Sequence, residues 1–320
     1  QNCLLENKLD RIPIALWRHF PVDDQYPERL AAATIAFQEQ FDFDLVKVSP
    51  SSSFCIKDWG ATDKWEGNPE GTREYTHRVI KQPDDWAHLG RLEPLKGHLG
   101  AQIDALKLIT KRYNGYTPVL QTIFSPLAQA KNLVGPDLLA VHLRLYPEAL
   151  HEGLEIITNT ILDFLDEVTA SKADGIFYAI QHAQYRVLTP DEYRDFGRRY
   201  DLQILNRVKD NPSLWINMLH LHGNDVMFDE VANLPTQIIN WHDRQTSPTL
   251  ADALTRYSGC VCGGLRQWDT MVLGTPEQVE FEAKQAIEST NGHKFILGTG
   301  CVLPTTAPYG NIMAAIQSTK

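Results

Sequence analysis

Eight short apolar runs, separated by longer amphipathic stretches, constrain this chain more than any other feature of its sequence. The runs are Ile12–Leu16, Leu45–Val48, Val119–Phe124, Gly175–Ala179, Leu214–His220, Thr236–Asn240, Gly259–Cys262 and Phe295–Gly298. Each has the length of a buried strand. The stretches between them read as helices with polar outer faces: Pro27–Phe41, Gly97–Tyr113, Pro147–Ser171, Pro190–Lys209 and Pro276–Thr290. Thr189 with Glu192 has the spacing of a capping box, and Thr275 is a good N-cap with Glu277 and Glu280 in the first turn. Strands that alternate with helices imply a parallel sheet with right-handed crossovers, and eight such units imply closure into a barrel. An open doubly wound sheet is the alternative. It would place a glycine-rich turn after the first strand, where this chain has Trp17-Arg18-His19-Phe20-Pro21. The expectation is an α/β chain folded as one (β/α)8 TIM barrel over residues 1–320.

Composition narrows the setting. The 320 residues are 43% apolar with a net charge of −10, which argues against a nucleic-acid or anionic-membrane partner. No apolar run reaches the roughly 18 residues of a membrane span. Gln1-Asn2-Cys3-Leu4-Leu5 lacks a basic region followed by an apolar core, so no signal peptide is expected. Five sparse cysteines do not make a disulfide framework and point to a reducing, cytoplasmic compartment. Cys260 and Cys262 are too close for a zinc-ribbon pair and read as small buried strand residues. A monomer or a homodimer is expected.

The polar residues cluster by position. His19 follows the first run, His182 the fourth, and His220 ends the fifth with His222 two residues on. His242 follows the sixth run and Cys301 the eighth. In a parallel barrel all these ends open on one face, where active sites lie. Any one of these histidines alone reads equally well as a loop residue; the set argues for function. On an extended chain, residues i and i+2 point to the same side, so His220 and His222 can share one metal ion. Cys301 sits in Gly298-Thr299-Gly300-Cys301, where glycines permit close approach, and would add a thiolate. Spacing alone balances this against a strand-capping His pair and a buried thiol. Arg18 and His19 could bind a carboxylate or phosphate, or Arg18 could pair with Asp23 or Asp24. Trp17, Phe54 and Trp59 could wall a pocket or pack the rim. Gly263-Gly264 is a weak candidate for an anion cradle.

These segments resemble the uroporphyrinogen decarboxylase superfamily, including its corrinoid-dependent methyltransferases. Ile12-Pro13-Ile14-Ala15-Leu16-Trp17-Arg18 resembles its first-strand motif, and Thr122-Ile123-Phe124-Ser125-Pro126-Leu127 its third-strand turn. His220-Leu221-His222-Gly223-Asn224 resembles the His-x-Cys-Gly-Asn segment of the methyltransferases. Phe295–Val302 with Pro304 and Tyr309-Gly310-Asn311 resembles the closing motif. The resemblance covers nearly the whole chain and implies a (β/α)8 barrel with its site at the carboxyl ends of the strands. The decarboxylases of the family use two arginines after strand 1 and an aspartate after strand 2. Only Arg18 matches, and Asp23 and Asp24 stand where a polycarboxylate would need cations. The methyltransferases bind zinc through the His-x-Cys pair and a later cysteine. His220 and Cys301 match, while His222 replaces the first cysteine. That change raises the charge of a zinc site from about zero to about +1.

The leading expectation is therefore a zinc-dependent methyl or alkyl transferase, with a small thiol or other nucleophile as acceptor and a methylcorrinoid, free or on a partner protein, as donor. His220, His222 and Cys301 are the expected ligands. His19, His182 and His242 are the candidate catalytic histidines, and Trp17, Arg18, Gln181 and Asn224 the candidate substrate contacts. Two other readings stay open: a cofactor-free carboxy-lyase using Arg18, and a non-catalytic barrel that binds a tetrapyrrole or corrinoid.

Overall fold

Seven of the eight apolar runs form one parallel sheet in the computed structural model, which describes residues 3–4, 10–113 and 115–320. The Gln1–Leu5 stretch read for a leader lies mostly outside the described residues. The strands are β1 (Val46–Val48), β2 (Thr62–Lys64), β3 (Glu74–His77), β4 (Val119–Phe124), β5 (Gly175–Ile180), β6 (Met218–Leu221), β7 (Ile238–Trp241), β8 (Cys260–Leu265) and β9 (Phe295–Thr299). The sheet runs β1-β4-β5-β6-β7-β8-β9, each strand parallel to the next, and curves as a half-barrel; β2 and β3 form a separate antiparallel hairpin.

The first apolar run departs from expectation. Among the described residues it makes one isolated parallel bridge, Ile14 to Leu297, and no regular strand. Pro13 is the physical reason, because it has no N–H to give to a ladder. Its carbonyl still accepts from Leu297 N at 2.8 Å, and Ala15 N donates to Leu297 O at 2.9 Å. On its other side Ile14 O accepts from Asp44 N at 3.0 Å. The Asp44 carboxylate takes the place of a strand carbonyl and accepts from Ile14 N at 2.7 Å, while Arg11 grips both its oxygens at 2.8 Å. The segment is thus held between the two edges of the sheet.

Helices Pro27–Phe41, Gly97–Tyr113 and Pro276–Thr290 have the expected bounds, and the helix expected over Pro147–Ser171 ends at Ala170. Thr189 forms the expected capping box with Glu192. The segment expected as one helix, Pro190–Lys209, is broken into Pro190–Tyr193, a π-helical turn over Arg194–Arg198, and Arg199–Lys209. Helices Pro126–Val134, Pro136–Leu145 and Tyr309–Gln317 were not foreseen, because each is too short to show a full amphipathic period.

The hairpin was also missed, since its strands are short and half-exposed. It reaches over the carboxyl ends of the sheet strands. Arg73 pairs with Asp63 and Asp24 and donates to Pro21 O at 2.8 Å. Pro69 O accepts from Thr305 N at 2.8 Å, and Glu70 accepts from Trp268 Nε1 at 2.7 Å. Gly71, at φ +77°, lies so close to His19 that a Cβ would stand 2.3 Å from the histidine Cβ. Asp44→Ala removes the acceptor for Ile14 N and should cost about 1–3 kcal/mol. Thermal unfolding should show this as a drop of a few degrees in Tm, with metal content unchanged.

Candidate metal centre

The register of β6 places His220 opposite Asn240 of β7, and His222 continues the strand by donating its backbone N–H to Ile180 O at 2.9 Å. Both imidazoles leave the same side of β6, while Leu221 between them is fully buried on the other. Cys301 follows β9. Gly300 allows its loop to cross the end of β7, because a Cβ there would stand 2.7 Å from His242 Cα. The result is a cluster in which one ligand atom from each of His220, His222 and Cys301 lies within 4.8 Å of the others. Cys301 Sγ is 3.6 Å from His220 Nε2 and 3.7 Å from His222 Nδ1. A tetrahedral zinc with Zn–N of about 2.0–2.1 Å and Zn–S of about 2.3 Å separates sulfur from nitrogen by about 3.5 Å. Both sulfur–nitrogen separations therefore fit such an ion.

Hydrogen bonding fixes which nitrogen faces the sulfur. Asn240 Nδ2 donates to Cys262 O at 2.9 Å and to Thr299 O at 3.0 Å. The Asn240 amide is thereby oriented, and its Oδ1 must accept. Its neighbour at 2.6 Å is His220 Nδ1, which therefore carries the proton. His220 Nε2 is left with a lone pair aimed at the cluster, the arrangement a metal-ligating histidine needs.

Burial sets the charges. Desolvation, with the neighbouring imidazoles, holds His220 well below the usual histidine range and His222 down to about 4. Both are neutral ligands at neutral pH. Burial raises the Cys301 thiol to about 11. Without an ion this thiol keeps its proton, and an ion must displace it.

The other expected site residues are distributed as follows. His242 is beside the cluster, its ring centroid 5.3 Å from that of His222. Its Nδ1 bonds Gln245 Oε1 at 2.9 Å, and its Nε2 is buried without a partner. His182 is buried with Nδ1 unpartnered and is held down to about 3 by burial, Lys131 and His222. His19 is likewise buried and held to about 3, by burial and by Lys47. Trp17 packs inside the sheet, edge-on to Phe177 at 5.2 Å, with Nε1 unpartnered. Arg18 does not join this group: its guanidinium stacks over Phe37 at 4.7 Å and Phe20 at 5.3 Å. It does not pair with Asp24 either, since Arg73 takes that carboxylate. Gln181 is half-buried and Asn224 exposed. Phe54 packs on Phe124 and Phe164, and Trp59 Nε1 donates to Gly90 O at 2.7 Å. Gly263 and Gly264 lie within β8, where Gly264 N already donates to Asp243 Oδ1 at 3.0 Å, so no anion cradle is left open.

Two residues near the cluster were missed. Asn240 was hidden as the last polar residue of an apolar run. Lys47 sits inside β1 between valines, where its run read as purely apolar; the signal was the lysine itself, at a position whose neighbours are all buried.

A uroporphyrinogen decarboxylase (URO-D) family model matches residues 17–320. The methylated-thiol–coenzyme M methyltransferase of Methanosarcina mazei is 26% identical over 96% of this chain and 79% of its own length. The uroporphyrinogen decarboxylase of Chlorobaculum parvum is 25% identical over 69% of this chain and 65% of its own. Among solved structures, a methyltransferase from Methanosarcina mazei superposes with a TM-score of 0.85 at 17% identity, covering 99% of this chain and 96% of that one.

Because the imidazoles are already neutral and the thiol is not, binding a divalent ion should release one proton near neutral pH. Affinity should rise about tenfold per pH unit from pH 5 toward the thiol's value and fall more steeply below about pH 4, where His222 also protonates. Titration calorimetry in buffers of different ionisation enthalpy reads this proton directly. Asn240→Ala, which frees the His220 ring, should weaken the ion about 10- to 100-fold; equilibrium competition with a chelator measures it.

Proposed function

The chain belongs to the uroporphyrinogen decarboxylase family, and from that membership we propose that it is a zinc-dependent methyltransferase with a small thiol as acceptor and a methylcorrinoid as donor. The observation that carries this reading is the His220–His222–Cys301 cluster, whose sulfur–nitrogen separations of 3.6 and 3.7 Å match a zinc tetrahedron with one position open. The methyltransferase relatives point the same way. We read the sheet, with the Ile14 segment as its eighth member, as a (β/α)8 barrel forming one domain, its mouth at the carboxyl ends of the strands.

In this reading His220 Nε2, His222 Nδ1 and Cys301 Sγ hold the ion, and Asn240 keeps His220 in the ligating tautomer. When bound, zinc supplies Lewis acidity that favours the thiolate form of a thiol in the mouth. His242 Nε2, buried and unpartnered, takes the thiol proton. The sulfur then forms a bond to the methyl carbon as the methyl–donor bond breaks, and that electron pair stays with the donor. Trp17, Gln181, His182 and Asn224 line the approach, and a corrinoid-carrying protein of the cytoplasm docks over the hairpin-flanked mouth.

A cofactor-free decarboxylase has less support, because Arg18, its carboxylate anchor, is engaged with Phe37 and Phe20. Elemental analysis of untagged protein should find one zinc per chain, and Cys301→Ser should lose most of it. The zinc-loaded protein should convert methylcobalamin and a thiol to thioether, followed by the visible spectrum of the corrinoid. A metal-free protein that retains full activity in chelator would falsify the proposal.

A further inference from the structure

Four of the five cysteines have no part in the reading above, and two of them meet at the other end of the strands from the metal cluster. Cys260 heads β8, Phe295 heads β9, and Cys3 packs against both. Cys3 Sγ lies 3.4 Å from Cys260 Sγ and 3.5 Å from Phe295 O, while Cys260 Sγ lies 3.3 Å from Cys3 O. The two residues are 257 positions apart in the chain and are 8% and 1% exposed, so the fold alone makes this contact. A disulfide holds its sulfurs about 2.05 Å apart, so these two need to close by only about 1.4 Å to bond.

The pair also has a division of roles. A peroxide reacts with a thiolate and far more slowly with a thiol. The hydrogen bond from Cys260 lowers the Cys3 thiol against the opposing effect of burial, and the same contact raises Cys260. Burial raises the thiols of Cys55 and Cys262. Cys3 is thus the thiol suited to be oxidised first, with a second sulfur already in contact to resolve the product. Access comes from below the sheet: a cavity of about 970 Å³ at the amino ends of the strands is lined by Cys3, Pro13, Leu45, Asp174 and Ile216.

We propose that Cys3 and Cys260 are a redox modification site separate from the metal cluster, a dithiol that hydrogen peroxide converts to a disulfide clasping the Cys3 segment to β8. The Cys3 thiolate attacks one peroxide oxygen. An S–O bond forms, the O–O bond breaks, and the departing hydroxide takes up the proton that the Cys3 thiol gave up. Cys3 is then a sulfenic acid. The Cys260 sulfur attacks Cys3 Sγ, the S–S bond forms, the S–O bond breaks, and the hydroxide leaves as water with the Cys260 proton. Two thiols are oxidised and one peroxide is reduced to two waters. A thiol reductant reverses the change by exchange. The clasp fastens the chain ahead of the Ile14 segment, which Leu297 and Asp44 otherwise hold by hydrogen bonds alone. Closing so long a loop also restricts the unfolded chain.

The test treats the full chain with a few equivalents of hydrogen peroxide, unfolds it in N-ethylmaleimide, and maps its digest by mass spectrometry. A peptide linking Cys3 to Cys260 should appear, two hydrogens lighter than the sum of its parts, and dithiothreitol should remove it. Cys55 and Cys262 should remain open to alkylation. The oxidised protein should melt about 4–10 °C higher than the reduced protein. In Cys260→Ser, Cys3 should stop at the sulfenic acid, trapped by dimedone, and the gain in Tm should vanish. A wild type without the linked peptide, with Cys3 carried on to sulfinic acid, or with the link but an unchanged Tm overturns the inference. These three outcomes are read on wild type and need no variant to fold.

Discussion

One amide holds the centre of this molecule together. Asn240 bonds Cys262 of β8, Thr299 of β9 and His220 of β6 from its own place on β7. Four neighbouring strands therefore meet at one side chain, buried at 0% exposure. Its two donors are spent on backbone carbonyls that the curvature of the sheet brings together, so its acceptor has one remaining orientation. The ligating nitrogen of His220 is thus set by sheet geometry. An aspartate in its place would bring a charge into this interior and have no N–H for the two carbonyls, and an alanine would leave both carbonyls and the imidazole unpaired.

The sequence displayed the fold where a single periodicity dominated. Seven apolar runs became parallel strands because each is flanked by polar turns and followed by a helical stretch. The eighth shows the limit of that logic. Ile12–Leu16 has the composition of a strand, yet Pro13 withholds a donor and Asp44 supplies a side-chain acceptor instead. Hydrophobicity reports burial and says little about hydrogen-bond pairing. The hairpin at Thr62–His77 was invisible for the opposite reason: it is anchored by buried ion pairs, Arg73 with Asp63 and Asp24, which no apolar pattern encodes.

The same division runs through the site. His220, His222 and Cys301 could be found because strand ends in a parallel sheet share one face, and the i, i+2 rule then fixes direction. Arg18 could not be placed that way. It is at a strand end too, but the aromatic side chains of Phe20 and Phe37 offer its flat guanidinium a stacking partner away from the mouth. Lys47 was passed over because a lysine inside an apolar run looks like noise. Its meaning depends on what faces it across the interior, and only the folded chain brings Phe177, Trp17 and His220 there.

His222 in place of a cysteine gives the centre a consistent electrostatic character. The resemblance to zinc methyltransferases implies two thiolates and one imidazole; this chain offers one thiolate, two imidazoles and a buried lysine nearby. The exchange of a thiolate for an imidazole makes the mouth more positive. A more positive site lowers the pKa of a bound thiol, and the thiolate becomes a weaker nucleophile as it does so. The two effects are unequal. Each unit of lowered pKa yields up to tenfold more thiolate while the thiol's pKa stays above ambient pH, but costs only about 0.4–0.5 log units in intrinsic reactivity. A cationic mouth therefore speeds the reaction of an acceptor whose thiol is weakly acidic and slows one already ionised.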